Sequence, residues 1–455
     1  MPTEPLRSID RDLLPVGTPS SHPIRPLTRT TTPTTRTARR SLPSWRRTLL
    51  ATGLTLALAA CGGSGGESDD GERLSLDSAD TAELQTHDRT KAGSTQAGQR
   101  RPGAQNTGSS SQPAATAAAS SHPRWTLTSP AEASRFLAQA SYGSSPKDIK
   151  ALTGRTANEW IEAQFSRPAT SLLNTMRYWQ QRSGKAITLT DAHNAWWYST
   201  VQQDQLRQRV AFALSQIFVV STNGDVSHFP KGIASYYDML ARNAFGNFRQ
   251  LLEDVTLHPM MGVYLTHIGN HKERFDSTGK LTQAPDENYA REVMQLFTIG
   301  LEQLNLDGTP KKDAQGRPIP TYSNNDVIGL ARVFTGWSWN GGRLTHECFF
   351  RAGYCAENTN ERETRPMVAY DQYHSTLEKR FLGTTIPEGQ SRTTADLKVA
   401  LDTLFNHPNV GPFIGRQLIQ RLVTSNPSPA YVRRVASAFN DNGQGVRGDM
   451  KAVIR

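Results

Sequence analysis

The densest group of side chains able to do acid–base chemistry lies in the run Pro285-Asp286-Glu287-Asn288-Tyr289-Ala290-Arg291-Glu292. On a helix, Glu287 and Arg291 stand four residues apart and share a face, as do Asn288 and Glu292. Pro285-Asp286 reads as a helix start, with the Asp286 carboxylate near the positive end of the dipole. Two acids, an amide and a guanidinium then occupy neighbouring faces. Paired carboxylates can act as general acid and base, or bind a hard cation. The same residues can equally form a buried ion-pair network that fixes helix packing, and no nucleophile or metal-ligand spacing accompanies them to separate the two readings. Glu287, Arg291 and Glu292, together with His258, are therefore candidate catalytic residues. No metal site and no cofactor are expected.

His258, His267 and His271 form a second group. His267 and His271 have the spacing of two ligands on one helical face. Gly269-Asn270 interrupts it, and a surface or helix-end position is expected for the pair. His258 precedes Pro259 and is expected to cap the end of the helix before it, where an imidazolium is favoured. His374, ahead of Lys379, falls in an irregular stretch, either in a site built by loops or as an exposed loop residue. Trp196-Trp197-Tyr198, and Trp337 with Trp339, could stack on a sugar ring. Aromatics at helical positions more often fill a core, which is the default expectation here. No His-Glu-x-x-His helix, phosphate-binding loop or strand-flanked Gly-x-Ser-x-Gly elbow appears.

Elements must position these residues, and from Trp125 onward the periodicity is helical. Ser129-Pro130-Ala131-Glu132 and Thr156-Ala157-Asn158-Glu159 are capping boxes that open helices. Leu206, Val210, Ala213, Leu214 and Ile217 make one buried stripe. Further helices are expected over 234–243, 248–257, 286–299, 326–335, 394–406, 412–424 and 430–439. Residues 343–384 look irregular, with short strands around Cys348 and Met367. The fold class is mainly α: a multi-helical globular body over 123–455 with a short irregular or β-hairpin insertion, preceded by a disordered N-terminal region. Ala452-Val453-Ile454 read as the opening of another helix, so the chain is expected to continue past Arg455.

The N-terminal region divides in two. Residues 1–60 carry nine arginines against three acids, six of the chain's ten excess positive charges. The remaining balance does not point to nucleic acid. The apolar run from Leu49 to Ala60 would span about 18 Å as a helix, against about 30 Å of bilayer hydrocarbon. It has the size of a signal-peptide core with a basic flank, and the length before it suggests a start codon downstream of Met1. Residues 61–122 hold Leu74, Leu76 and Leu84 as their only large apolar side chains. Such a segment cannot offset its ordering entropy and reads as a disordered tether, with a reach of roughly 45 Å.

Leu58-Ala59-Ala60-Cys61-Gly62 resembles the bacterial lipobox. The resemblance implies diacylglycerol on the Cys61 thiol, cleavage before it and acylation of the new amine. Gly62 rather than Asp after the cysteine implies the periplasmic face of the outer membrane. Trp45-Arg46-Arg47-Thr48-Leu49-Leu50 resembles a twin-arginine export signal, though Trp45 departs from the pattern and no Lys follows. A general secretory route stays equally open.

The body resembles the bacterial exported family known as domain of unknown function 1800. The residues that carry the likeness include Arg135-Phe136-Leu137, Leu206-Arg207-Gln208-Arg209-Val210, Asn243-Ala244-Phe245-Gly246-Asn247-Phe248-Arg249, His258-Pro259-Met260-Met261-Gly262, the Pro285–Glu292 run, Phe334-Thr335-Gly336-Trp337 and Gln417-Leu418-Ile419-Gln420-Arg421-Leu422. The resemblance implies a helical, exported protein without an agreed activity. It also implies a possible partner, since such genes often neighbour those of exported proteins resembling alkaline phosphatases and sulfatases. With Cys61 lipidated, Cys348 and Cys355 remain as a pair. An oxidising periplasm permits a disulfide between them, which is expected here. The leading expectation is a lipid-anchored binding or assembly module for an envelope partner. The alternative is an envelope hydrolase acting on polysaccharide or phosphoester through the Glu287/Arg291/Glu292 helix.

Overall fold

Short polar residues placed just ahead of apolar runs start most helices in the computed structural model, which describes residues 125–341, 344–351, 355, 361–389 and 392–455. The expectations for the signal peptide, Cys61 and the tether lie outside the described residues. α1 (Pro130–Ala140) opens where the Ser129 hydroxyl accepts the Glu132 N–H and the Glu132 carboxylate accepts the Ser129 N–H. The same reciprocal box opens α2 (Pro146–Leu152) at Ser145 and Asp148, and α3 (Ala157–Phe165) at Thr156 and Glu159. Each box satisfies helix-end donors that would otherwise lack partners. These helices close over a small core of Leu127, Ala133, Leu137, Leu152 and Ala157.

α4 (Leu172–Ser183) and α5 (Leu189–Ser199) follow as a hairpin. α6 (Gln205–Ser215) buries Leu206, Val210, Ala213 and Leu214, the stripe expected from their spacing. α7 (Pro230–Asn243) is buried almost all round and packs against α4, α5 and α6. Its Asp238 carboxylate accepts the Leu172 and Leu173 N–H groups at 2.7 and 3.2 Å and the Ser171 hydroxyl at 2.6 Å. A carboxylate on one helix thus caps the start of another, and the cap crosses 66 positions of sequence.

α8 (Phe248–Leu257) has the bounds read from the sequence, and α9 (Pro259–Tyr264) follows directly. The exposed strands β1 (Arg274–Phe275) and β2 (Leu281–Gln283) pair antiparallel. α10 (Asn288–Gln295) is shorter than the helix expected over 286–299. Its end unwinds because Phe297 N–H bonds Glu292 O, and both Ile299 and Gly300 N–H bond Met294 O. Gly300 then turns the chain at φ +70°, where a Cβ would strike the Phe413 ring at 2.7 Å. α11 (Asn324–Val333) leads to β3 (Trp337–Ser338).

Cys348 does not lie on a strand as expected; it sits in α12 (His346–Phe350), capped by the Thr345 hydroxyl. The strand expected near Met367 is β4 (Val368–Ala369), which pairs with β3. β5 (Lys379–Phe381) and β6 (Thr384–Ile386) form a further hairpin. α11 rides so close to β5 that a Cβ on Gly329 would lie 1.8 Å from the Arg380 carbonyl oxygen. α13 (Thr393–Asn406), α14 (Val410–Leu422), α15 (Pro429–Asn440) and α16 (Met450–Ile454) complete the body.

The fold is mainly helical, with small two-stranded sheets. Its main core joins Phe218, Phe248, Tyr289, Phe297, Phe334 and Phe439 from five segments of the chain. Each fully buried phenylalanine contributes about 1.5–3 kcal/mol. Among the described residues no helix is long and apolar enough to cross a membrane.

Candidate functional site

The start of α10 is built from its flanking loops. The Asn270 side chain clamps Asp286 at both backbone groups: its Oδ1 accepts the Asp286 N–H at 2.9 Å and its Nδ2 donates to Asp286 O at 3.2 Å. The Asp286 carboxylate accepts the Asn288 N–H at 2.8 Å and the Thr266 hydroxyl at 2.9 Å. Thr266 holds φ at 61°, a left-handed conformation that β-branched residues rarely adopt. Glu287, not Asp286, occupies the N-cap position. Its carboxylate pairs with Arg291 at 3.3 Å, and Arg291 also reaches the Asn324 side-chain oxygen Oδ1 at 3.5 Å.

Glu292 stands apart from this group. Five residues separate it from Glu287, so at about 100° per residue the two carboxylates point roughly 140° away from each other. They do not face one bond as an acid–base pair. Burial raises the Glu292 pKa against the opposing effect of Arg291. One carboxylate oxygen is buried with no hydrogen-bond partner among the described residues.

His258 does not join α10. It lies at the α8–α9 junction, where its Nδ1 accepts the Met260 N–H at 3.2 Å and its Nε2 contacts the Ser235 hydroxyl at 3.3 Å. It therefore caps the following helix with its side chain. Burial, with Arg242 nearby, presses its pKa to about 3. The imidazolium expected at a helix C-terminus is excluded at neutral pH by the cost of burying that charge.

The other two histidines of the group also depart from their expected places. His267 and His271 are buried in the loop after α9, not at the surface or on a shared helical face. His267 Nε2–H donates to Thr256 O at 2.9 Å, and the ring stacks on Tyr289 with centroids 3.9 Å apart. Burial lowers its pKa to about 4. His271 Nδ1–H donates to Lys272 O at 2.6 Å. Tyr289 ties this layer to α8 through its hydroxyl, 2.7 Å from that of Thr256. Among the described residues no three His, Cys, Asp or Glu side chains gather as a metal-binding set.

A buried charge cluster lies elsewhere, between α11, β5 and α13. His374 is 2% exposed rather than a surface loop residue. Its Nε2 lies 3.0 Å from Asp396 Oδ2 and its Nδ1 lies 2.8 Å from Thr335 O. Asp396 also pairs with Lys379 at 2.9 Å, and Lys379 is fully buried. Burial pushes the Asp396 carboxyl up, but hydrogen bonds from His374 and Lys379 outweigh it and leave its pKa below the ordinary value. Glu273 adds a second acid, bonded to Arg332 at 2.7 Å and to the Ser375 hydroxyl at 2.8 Å. Asp396, in the first turn of α13, reads in sequence as a helix-start acid, and only the tertiary fold shows its partners. Because the charges satisfy one another, the cluster pins β5 and α13 to α11.

Cys348 and Cys355 are joined by a disulfide. Trp337 and Trp339 are core residues, as expected. Trp197 and Tyr198 are not: they are 66% and 47% exposed, beside Trp196 and Trp179 respectively.

A family described as "Protein of unknown function (DUF1800)" matches residues 135–455. No curated protein and no solved structure matches the chain.

Proposed function

From the premise that this chain belongs to the DUF1800 family of proteins of unknown function, we propose that it is an exported protein, lipid-anchored through Cys61 in the envelope, whose helical body binds and positions a partner protein. The observation that carries the reading is the aromatic surface of α4 and α5. Trp197 and Tyr178 are more than half exposed there, with Tyr198 close to half. Large aromatics are concentrated at protein interfaces, where they dominate binding energy. Candidate partners are the exported proteins resembling alkaline phosphatases and sulfatases.

The test is crosslinked purification of the lipidated protein from native membranes, read by mass spectrometry. Recovery of a stoichiometric phosphatase- or sulfatase-like partner, lost on Trp197→Ala with Tyr198→Ala, supports the reading. Recovery of the protein alone under the same crosslinking argues against it.

One observation favours a second reading, an envelope hydrolase. Glu292 combines a raised pKa with an unpartnered carboxylate oxygen, features of a general acid. Glu287 and Arg291 lie on the same helix, whereas His258 sits at the α8–α9 junction and is already bonded at both ring nitrogens. If Glu292→Gln abolishes a hydrolytic activity of the purified protein and leaves it folded, the hydrolase replaces the binding module.

A further inference from the structure

A cleft of about 390 Å³ opens between the α1–α2 junction, the second half of α3 and the loop from α5 to α6. A second hollow of about 260 Å³ adjoins it along α2 and α3. Asp148, Trp160 and Arg167 line both and so stand between them. Every wall comes from residues 137–205, inside the described chain. Hydrogen bonds tie the walls of the cleft together. Arg167 Nη1 donates to Gln203 Oε1 at 2.5 Å and Gln164 Nε2 donates to Gln203 O at 3.2 Å, joining α3 to the loop. Gln205 Oε1 accepts the Tyr142 N–H at 3.0 Å, joining the start of α6 to the end of α1.

Charge and polarity decide the ligand. Both acids are already committed to helix starts: Asp148 accepts the Ser145 N–H and hydroxyl at 3.0 and 2.6 Å, and Glu159 accepts the Thr156 N–H at 3.3 Å. Lys147, Arg155 and Arg167 pair with no carboxylate among the described residues. The Gln203 amide is bonded only at its oxygen and the Gln202 amide only at its nitrogen, so each keeps one end for a ligand. Phe136 meets the Trp160 ring edge-on, with centroids 5.4 Å apart, and fixes it in place. An indole between two polar hollows, ringed by amides and unpaired cations, complements a chain of sugar rings that carries carboxylates. The apolar face of one ring covers the indole, hydroxyls meet the amides, and a carboxylate meets the guanidinium through two parallel hydrogen bonds.

We propose that this double cleft binds an acidic oligosaccharide, with one ring over Trp160 and a carboxylate on Arg167. The proposal does not rest on the partner-binding reading, whose aromatic surface belongs to α4 and α5, and the variants that test it leave Trp197 and Tyr198 in place.

The experiment is isothermal titration calorimetry of the purified protein with tetragalacturonate. Saturable binding is expected, at least tenfold tighter than that of the fully methyl-esterified tetramer, which keeps the rings and removes the charge. Lys147 and Arg167 are exposed, so Lys147→Gln with Arg167→Gln leaves the core intact. That double variant should weaken tetragalacturonate about tenfold and leave the methyl ester unchanged. Thermal melting verifies that it is folded. Equal affinity for the acid and its ester, an undiminished affinity in the double variant, or no saturable binding would each overturn the proposal. Tighter binding of ATP would overturn it in favour of a nucleotide, and equal binding of polyglutamate would reduce the site to general charge attraction.

Discussion

At the scale of single residues, two neutral buried histidines tie stability to pH. The folded pKa values of His258 and His267, about 3 and about 4, lie below the ordinary value of 6.5. As pH falls through 6.5, the unfolded chain takes up protons that the folded body refuses. Their contribution is therefore fully present above pH 6.5 and declines toward the folded values, by up to about 1.4 kcal/mol per histidine per pH unit. His267→Gln should flatten the slope of Tm against pH between 6.5 and 4. Asp238 and Glu292, whose pKa values are raised by burial, act with the opposite sign but are common to both proteins. Parallel slopes for the two proteins would refute the assignment. The charge cluster gives a second prediction. Lys379→Met leaves Asp396 without its buried ammonium, and urea denaturation should show a loss of about 3–5 kcal/mol. These roles were poorly legible in the sequence. His258 and His374 carry no local sign of burial, because the groups around them arrive from α7, α11 and α13.

Element starts were the most legible feature, since a capping box is complete within four residues. Ser129 with Glu132 and Thr156 with Glu159 make the bonds that their spacing announces. The start of α4 was not legible in this way, because part of its cap comes from Asp238 on α7. The end of α10 was hidden for a related reason: Leu296 and Phe297 continue an apolar helical pattern, but Gly300 must approach the Phe413 ring of α14. Close approach between elements also makes a prediction. A methyl group on Gly329 would collide with the Arg380 backbone, which cannot swing aside as a side chain can. Gly329→Ala should cost at least the upper end of the roughly 1–3 kcal/mol of ordinary overpacking, by chemical denaturation. Gly246→Ala is the control. Its Cβ would meet Asn243 at an ordinary 3.5 Å, so its stability should stay within about 0.5 kcal/mol of the parent. Equal losses in the two variants would mean that α11 does not depend on contact with β5.

For the whole molecule, helical periodicity fixed the class but could not tell which aromatics face water. Trp196 and Trp197 are adjacent and identical in type, yet Trp197 is 66% exposed while Trp196 packs against Tyr142 and Phe212. A tryptophan in the outer layer of a body held near a membrane fits the proposed binding role, and that role depends on the proposed anchor. Several acyl chains on Cys61, at about 0.8 kcal/mol per buried methylene, would hold the protein stably where one chain would not. Among the described residues no helix is long and apolar enough to cross a membrane. Cys61→Ser should therefore move the protein from the membrane fraction to the soluble fraction and abolish incorporation of an alkyne-labelled palmitate. Trp197→Ala, in contrast, should leave fractionation and labelling unchanged. A Cys61→Ser protein that still sediments with membranes would place the attachment in the body's own surface, with the α4–α5 aromatics the first residues to substitute.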